Sequence, residues 1–181
     1  MKKKILIGLG IVVLLIIVAF FYLNNRNRTL SPPRETSVNA SGMEVSVAYS
    51  RPSVRDRLIF GAEADGALQP HGVYWRLGAN EPTVMEVSDD FKFGATEIEA
   101  GKYVIYAIPE EGGMVLRLSS DLRMWGYSEP DYSQDVASTK VPLQNASFTE
   151  QFTIEAVPDA QGAKLVFNWS DYQWELTIKK Q

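Results

Sequence analysis

Residues 5–23 read ILIGLGIVVLLIIVAFFYL with no charged side chain, and Lys2, Lys3 and Lys4 stand directly in front of them. At about 1.5 Å of rise per residue these 19 positions make a helix roughly as long as a bilayer's hydrocarbon core is thick. A helix satisfies every backbone polar group internally, so the run predicts a membrane span. A cleaved signal peptide carries a shorter apolar region and an A-x-A type site; here the run ends in VAFFYLNN, which reads as a retained anchor. Tyr22 falls at the expected interface. The lysines ahead of the run outnumber Arg26 and Arg28 behind it, which keeps the amino terminus in the cytoplasm and the remainder outside. A buried core helix would need a partner layer that the strand-rich remainder does not supply.

The chain has no cysteine, which excludes disulfides, a thiolate nucleophile, a thiolate metal site and a lipid-carrying cysteine. An exported body without disulfides must rely on one sizeable hydrophobic core, and the length after residue 42 is that of one ordinary domain. Beyond residue 28 there remain 13 basic against 22 acidic residues, a formal charge of −9. Such a body is a poor partner for nucleic acid or an anionic lipid surface.

Residues 24–42 are polar and include SPPRETSVNASG, the composition of a flexible linker. Period-two alternation follows in short runs bounded by glycine, proline and acidic turns. MEVSVAYS sets Met43, Val45, Val47 and Tyr49 on one face; PTVMEVS and DFKFG suggest a hairpin across Asp89 and Asp90; GKYVIYAIP is apolar on both faces and predicts a central strand. MVLRLS follows the EEGG turn, FTEQFTIEAV pairs with KLVFNW across PDAQG, and YQWELTIKK closes the chain. About ten strands with no helical period after residue 24 predict an all-β fold, an antiparallel β-sandwich with the jelly roll as one form of it. The organisation expected is an anchor over 1–23, a linker over 24–42 and the sandwich over 43–181.

Arginines collect in two irregular segments: Arg51, Arg55 and Arg57 in YSRPSVRDRLIFG, and Arg76 in HGVYWRLGANEPT. A guanidinium offers five donors in a rigid fork, suited to carboxylates, backbone carbonyls and aromatic faces. One reading is a pinning network that ties two crossings to the sheets through carbonyls, Asp56 and Glu81. The other leaves one or two arginines at a cleft mouth to receive a small anionic or carbohydrate ligand, with Trp75, Asn80 and Glu81 beside them and Trp125 supplied by MWGYSEPDY. The candidate ligand set is therefore Arg51, Arg55, Arg57, Trp75, Arg76, Asn80, Glu81 and Trp125. Catalysis is the competing class: a hydrolase-like site would use His71, the only histidine, with Glu81 in the arginine-lined cleft. The chain has no Ser-His-Asp order, HExxH or phosphate-cradling glycine loop, and no cofactor or metal is called for.

Four stretches, YSRPSVRDRLIFG, VYWRLGANE, IEAGKYVIYAIP and MWGYSEPDYSQDV, together resemble the domain of unknown function 2911, found in exported bacterial proteins. The resemblance runs from about Glu44 to Ile178. It implies a compact β domain exported from Gram-negative cells, hence an inner-membrane, single-pass protein with a periplasmic body, and it carries no activity. The family pattern has a tyrosine where this chain has His71. The expected function is that of a non-catalytic binding or structural module of the envelope.

Overall fold

The computed structural model describes residues 2–181. Its single α-helix, α1, spans Lys2–Leu30. Twelve strands follow: β1 Pro33–Ala40, β2 Met43–Ser50, β3 Phe60–Gly61, β4 Gln69–Pro70, β5 Val84–Val87, β6 Phe91–Phe93, β7 Thr96–Ile98, β8 Gly101–Glu110, β9 Gly113–Ser119, β10 Asp135–Pro142, β11 Gln144–Asp159 and β12 Gly162–Lys180. From Leu6 to Leu30 the helix is long and apolar enough to cross a membrane; its apolar stretch is exposed, and only Leu30 at its end is half buried. Its apolar residues, Leu14, Ile16 and Phe20 among them, are exposed.

Residues 24–42 correct the expectation of a flexible linker. The helix runs on through Leu30, and β1 pairs antiparallel with β2 in unbroken register from Pro33↔Ser50 to Ala40↔Met43. Composition misled here because β1 is an edge strand: Thr36 and Val38 are only half buried and Ala40 alone is fully so.

Two antiparallel sheets make the sandwich, ordered β1-β2-β5-β8-β9-β10 and β11-β12-β6-β7, with β3 and β4 as a short parallel pair outside them. The expected central strand is β8, flanked by β5 and β9, and its consecutive residues Val104–Ala107 are all buried. FTEQFTIEAV and KLVFNW pair as expected, from Thr153↔Asn168 to Asp159↔Gly162. KLVFNW and YQWELTIKK turn out to be one 19-residue strand, β12, in which Ser170 takes a φ of 54°.

The predicted hairpin across Asp89 and Asp90 does not form. β5 pairs with β2 and β8 in one sheet, while β6 pairs with β12 and β7 in the other, so the acidic turn carries the chain between layers. One bond from each sheet holds that turn: Ser88 Oγ accepts from Glu44 N of β2 at 2.8 Å, and Lys180 Nζ of β12 lies 2.9 Å from Asp89. Each strand thereby completes the hydrogen-bond ladder of its own sheet and turns its apolar face to the other.

The inner faces enclose an aromatic core. Trp75 stacks on Trp169 at 5.3 Å, Phe167 on Trp174 at 5.3 Å, and Phe60 and Phe152 meet Trp75 edge-on. Tyr49 ties the layers together, its hydroxyl accepting from Ile154 N at 2.9 Å and donating to Ile154 O at 3.0 Å.

Candidate functional site

Three irregular segments, residues 51–59, 71–83 and 120–134, converge with the C-terminal end of α1 around a cleft of about 540 Å³. The chain reaches this geometry through left-handed backbone at several non-glycine positions: Arg55 (φ 50°), Asp56 (φ 55°), Leu77 (φ 55°) and Asn80 (φ 58°). Gly78 has a φ of 154°, and a Cβ there would sit 2.8 Å from Ser50 O, so the GAN bend admits no side chain at its first position. Thr83 Oγ1 donates to Leu77 O at 2.6 Å and closes the bend.

The four arginines divide between two roles. Arg51 points away from the cleft onto β11, donating to Phe152 O at 3.2 Å and Thr153 Oγ1 at 2.9 Å. Arg57 folds back on its own turn, with Nε to Val54 O at 2.9 Å and a second donor to Ser53 O at 2.5 Å, though its side chain still lines the cleft. These two pin the crossing through carbonyls. Arg55 is exposed at the cleft; its backbone N–H donates to Glu150 Oε1 at 3.2 Å, while its guanidinium makes only a 3.5 Å contact to Leu30 O, too long to occupy the fork. Arg76 is half buried on the wall, donates to Asn80 O at 2.8 Å and lies 5.9 Å from the ring centre of Tyr127. Burial pushes its guanidinium below its usual pKa, with Tyr74 and Tyr127 acting the other way. Neither Arg55 nor Arg76 has an ion-pair partner among the described residues.

Among the remaining candidates, Asn80 lines the cleft and donates to Ser31 O at 3.2 Å. Trp75 forms its floor: it is 2 % exposed and spends its N–H on Gly78 O at 3.1 Å, so it is first a core residue. Glu81 lies elsewhere, ion-paired with Arg28 of α1 and facing a separate groove beside Pro33 and Tyr49. Glu81 pairs with Arg28 of the helix and with none of the four arginines, and Asp56 pairs with none of them either. Trp125 is 70 % exposed and outside the cleft, whereas its neighbours Gly126 and Tyr127 line it. His71 is exposed after β4, with its backbone N–H given to Gly61 O; no hydrogen bond and no shared cleft joins it to Glu81. The His71–Glu81 arrangement that a hydrolase-like site requires is not assembled.

Sequence reading missed Tyr74, Tyr127 and the helix-end residues Asn27, Leu30 and Ser31, all of which line the cleft. Tyr127 was legible in the aromatic MWGY run; the helix end was hidden by the linker expectation. A supporting cluster beside the cleft was also missed. Tyr106 donates to both carboxylate oxygens of Asp135, at 2.6 and 2.8 Å, and Arg117 donates to Asp135 at 2.8 Å. Arg117 lies 5.2 Å from the ring centre of Tyr132, which donates to Glu129 at 2.8 Å, and Tyr74 packs on Tyr106 at 5.3 Å. Burial, then Asp135, raises the Tyr106 pKa far above its ordinary value, and burial with Glu129 pushes Tyr132 up to about 12. The cluster is a brace for residues 120–134.

Three arginines thus line a cleft in which no aspartate, glutamate or histidine takes part. Its chemistry is donation: guanidinium, amide and phenol hydrogens directed at acceptor atoms, against aromatic walls.

A two-sheet β domain carried on a membrane-length helix, with a cationic cleft where the two meet, is the class of protein that fold and site define. A family model described as "Protein of unknown function (DUF2911)" matches residues 31–178, and the chain belongs to that family. No curated protein and no solved structure matches it. The matched span begins at Ser31, so it takes in the edge strand β1, which the resemblance from Glu44 left out.

Proposed function

We propose that the protein is an inner-membrane, single-pass module with its β domain in the periplasm, binding a small anionic or acidic-sugar ligand in the cleft without chemical conversion. The observation that carries this is the sign of the site. A body with a formal charge of −9 gathers Arg55, Arg57 and Arg76 around one concavity and admits no carboxylate to it. Carboxylates are the cheapest way to neutralise a half-buried guanidinium, and Glu81 is close in sequence yet spent on Arg28. A cation kept without an internal partner beside aromatic walls fits an anion supplied from outside. Arg51 and Arg57 hold the crossing in shape, which leaves binding to Arg55 of the same segment and Arg76 of the other.

The test is thermal unfolding of the full chain in lipid nanodiscs with phosphate, sulfate, citrate, glucuronate and a neutral oligosaccharide. At about 100 times Kd a ligand stabilises by roughly 2.7 kcal/mol. The expected result is a rise in Tm with at least one anion, weakened by added salt and lost in the Arg55→Gln/Arg76→Gln double variant. Equal Tm across the panel, or stabilisation that survives in the double variant, would overturn the proposal.

A further inference from the structure

We propose that the loop carrying Leu122, Trp125 and Tyr127 is a membrane seat, resting in the headgroup layer of a zwitterionic bilayer so that the cleft opens at the lipid surface. This rests on the reading of α1 as a membrane span and goes beyond the cleft's ligand. The three side chains are 50 %, 70 % and 81 % exposed, a concentration of uncovered apolar area that a domain in bulk water gains nothing from keeping.

Their height above the bilayer follows from the helix. The last apolar residue of the run is Leu23, and Leu30 lies seven residues further along α1, about 10 Å at 1.5 Å per residue. The polar layer of each leaflet is roughly 5–8 Å deep, so Leu30 stands a few Å outside it, within the reach of a tryptophan or tyrosine side chain. Leu30 and Ser31 line the same cleft as Gly126 and Tyr127. The helix end is joined to the domain there by the Asn80–Ser31 bond at 3.2 Å and the Arg28–Glu81 ion pair, with β1 starting only two residues after the helix. The loop is therefore held beside the membrane surface.

Its chemistry suits that depth. Tryptophan and tyrosine favour the interface, where an apolar ring and a polar tip are both satisfied. Asp121, Glu129 and Asp131 flank the loop and are tied into its turns, accepting from Arg123 N at 3.0 Å, Tyr132 Oη at 2.8 Å and Ser133 N at 3.0 Å. These three carboxylates outnumber the exposed Arg123, so the loop keeps a net negative charge that holds it out of the hydrocarbon and disfavours anionic lipids, which selects a zwitterionic surface.

Three of the four tryptophans, Trp75, Trp169 and Trp174, are no more than 2 % exposed, so a quencher in the lipid reaches only Trp125. The full chain is reconstituted in phosphatidylcholine vesicles with and without bromine near the glycerol end of the acyl chains. Flotation of the protein with the vesicles reports the anchor separately. The expected result is emission lower in brominated vesicles, by no more than the share of one tryptophan in four, with the difference abolished in Trp125→Phe. Equal emission in both vesicles while the chain floats overturns the seat and leaves the anchor standing; it would point to a protein partner for the loop. A bromine-dependent loss retained in Trp125→Phe also overturns the seat, and failure to float overturns the anchor and the seat together.

Discussion

Gly126 lies directly against the carbonyl of Asn80: a Cβ at Gly126 would sit 2.8 Å from Asn80 O and 3.0 Å from Arg76 Cδ. This contact locks the aromatic loop onto the GAN bend and sets the width of the cleft, since both residues line it. The Asn80 carbonyl and the Pro82 nitrogen, 3.2 Å from that Cβ, are backbone and cannot yield as a flexible side chain would. Gly126→Ala should cost about 1–3 kcal/mol, the usual range for overpacking, and should swing Tyr127 off Arg76. Urea unfolding reads the first effect. Hydrogen exchange confined to faster rates around residues 120–131 reads the second, and unchanged exchange there would separate the loop from the bend.

Asp135 is shared between Tyr106 and Arg117, and Arg117 Nε is buried with no acceptor. Asp135→Asn removes the charge that keeps a guanidinium with 31 % side-chain exposure in place. The expected loss is roughly 1.5–3 kcal/mol, the range for hydrogen bonds to charged groups. Tyr106→Phe removes a bond to the same carboxylate but leaves the Arg117–Asp135 pair intact, and should cost about 1.5 kcal/mol, the low end of that range. Chemical denaturation of the two variants at neutral pH checks the order, and a reversed order would move the brace from the ion pair to the phenol.

The alternation of MEVSVAYS and the doubly apolar GKYVIYAIP were sufficient to place β2 at a buried position and β8 at the middle of a sheet, because each strand's own side chains record how many faces are covered. β1 left no such record: an edge strand of PRETSVNA needs only its backbone ladder and one buried alanine. The division of β5 and β6 between sheets was illegible for a different reason. The turn at Asp89 and Asp90 is local, whereas the partners that decide it, β2 and β12, lie far away in sequence. At the site, residue types showed that the arginines would meet carbonyls and rings. Which of them would keep a free fork depended on Glu81 pairing with Arg28, 53 positions earlier, and spacing carries no sign of that.

The Arg28–Glu81 pair has about half of each side chain exposed, so its contribution to stability should be small, about 0.2–1 kcal/mol in a double-mutant cycle and falling with salt. Its larger effect is on posture, because it and the Asn80–Ser31 bond are the polar ties between α1 and the bend. Glu81→Ala should leave Tm within a few degrees of the parent and broaden the distance distribution between spin labels on α1 and β5. An unchanged distribution would assign the posture to the two-residue link before β1.

Five tyrosines, Tyr49, Tyr74, Tyr103, Tyr106 and Tyr132, have pKa values raised above the ordinary 10.0, with burial the leading cause for each. In the unfolded chain these phenols ionise near pH 10, while in the folded protein they keep their protons to higher pH. The unfolded state then binds fewer protons, so stability is fully present below pH 10 and is lost as pH rises above it. Tyr106 has the largest shift, to beyond the range in which proteins survive, and so contributes to the slope throughout. Denaturant unfolding of the parent and of Tyr106→Phe between pH 8 and 11 should show parallel stabilities below pH 10 and a shallower decline for the variant above it. Identical slopes would mean that the Tyr106 phenol ionises in the folded protein, and hence that its bond to Asp135 opens to water.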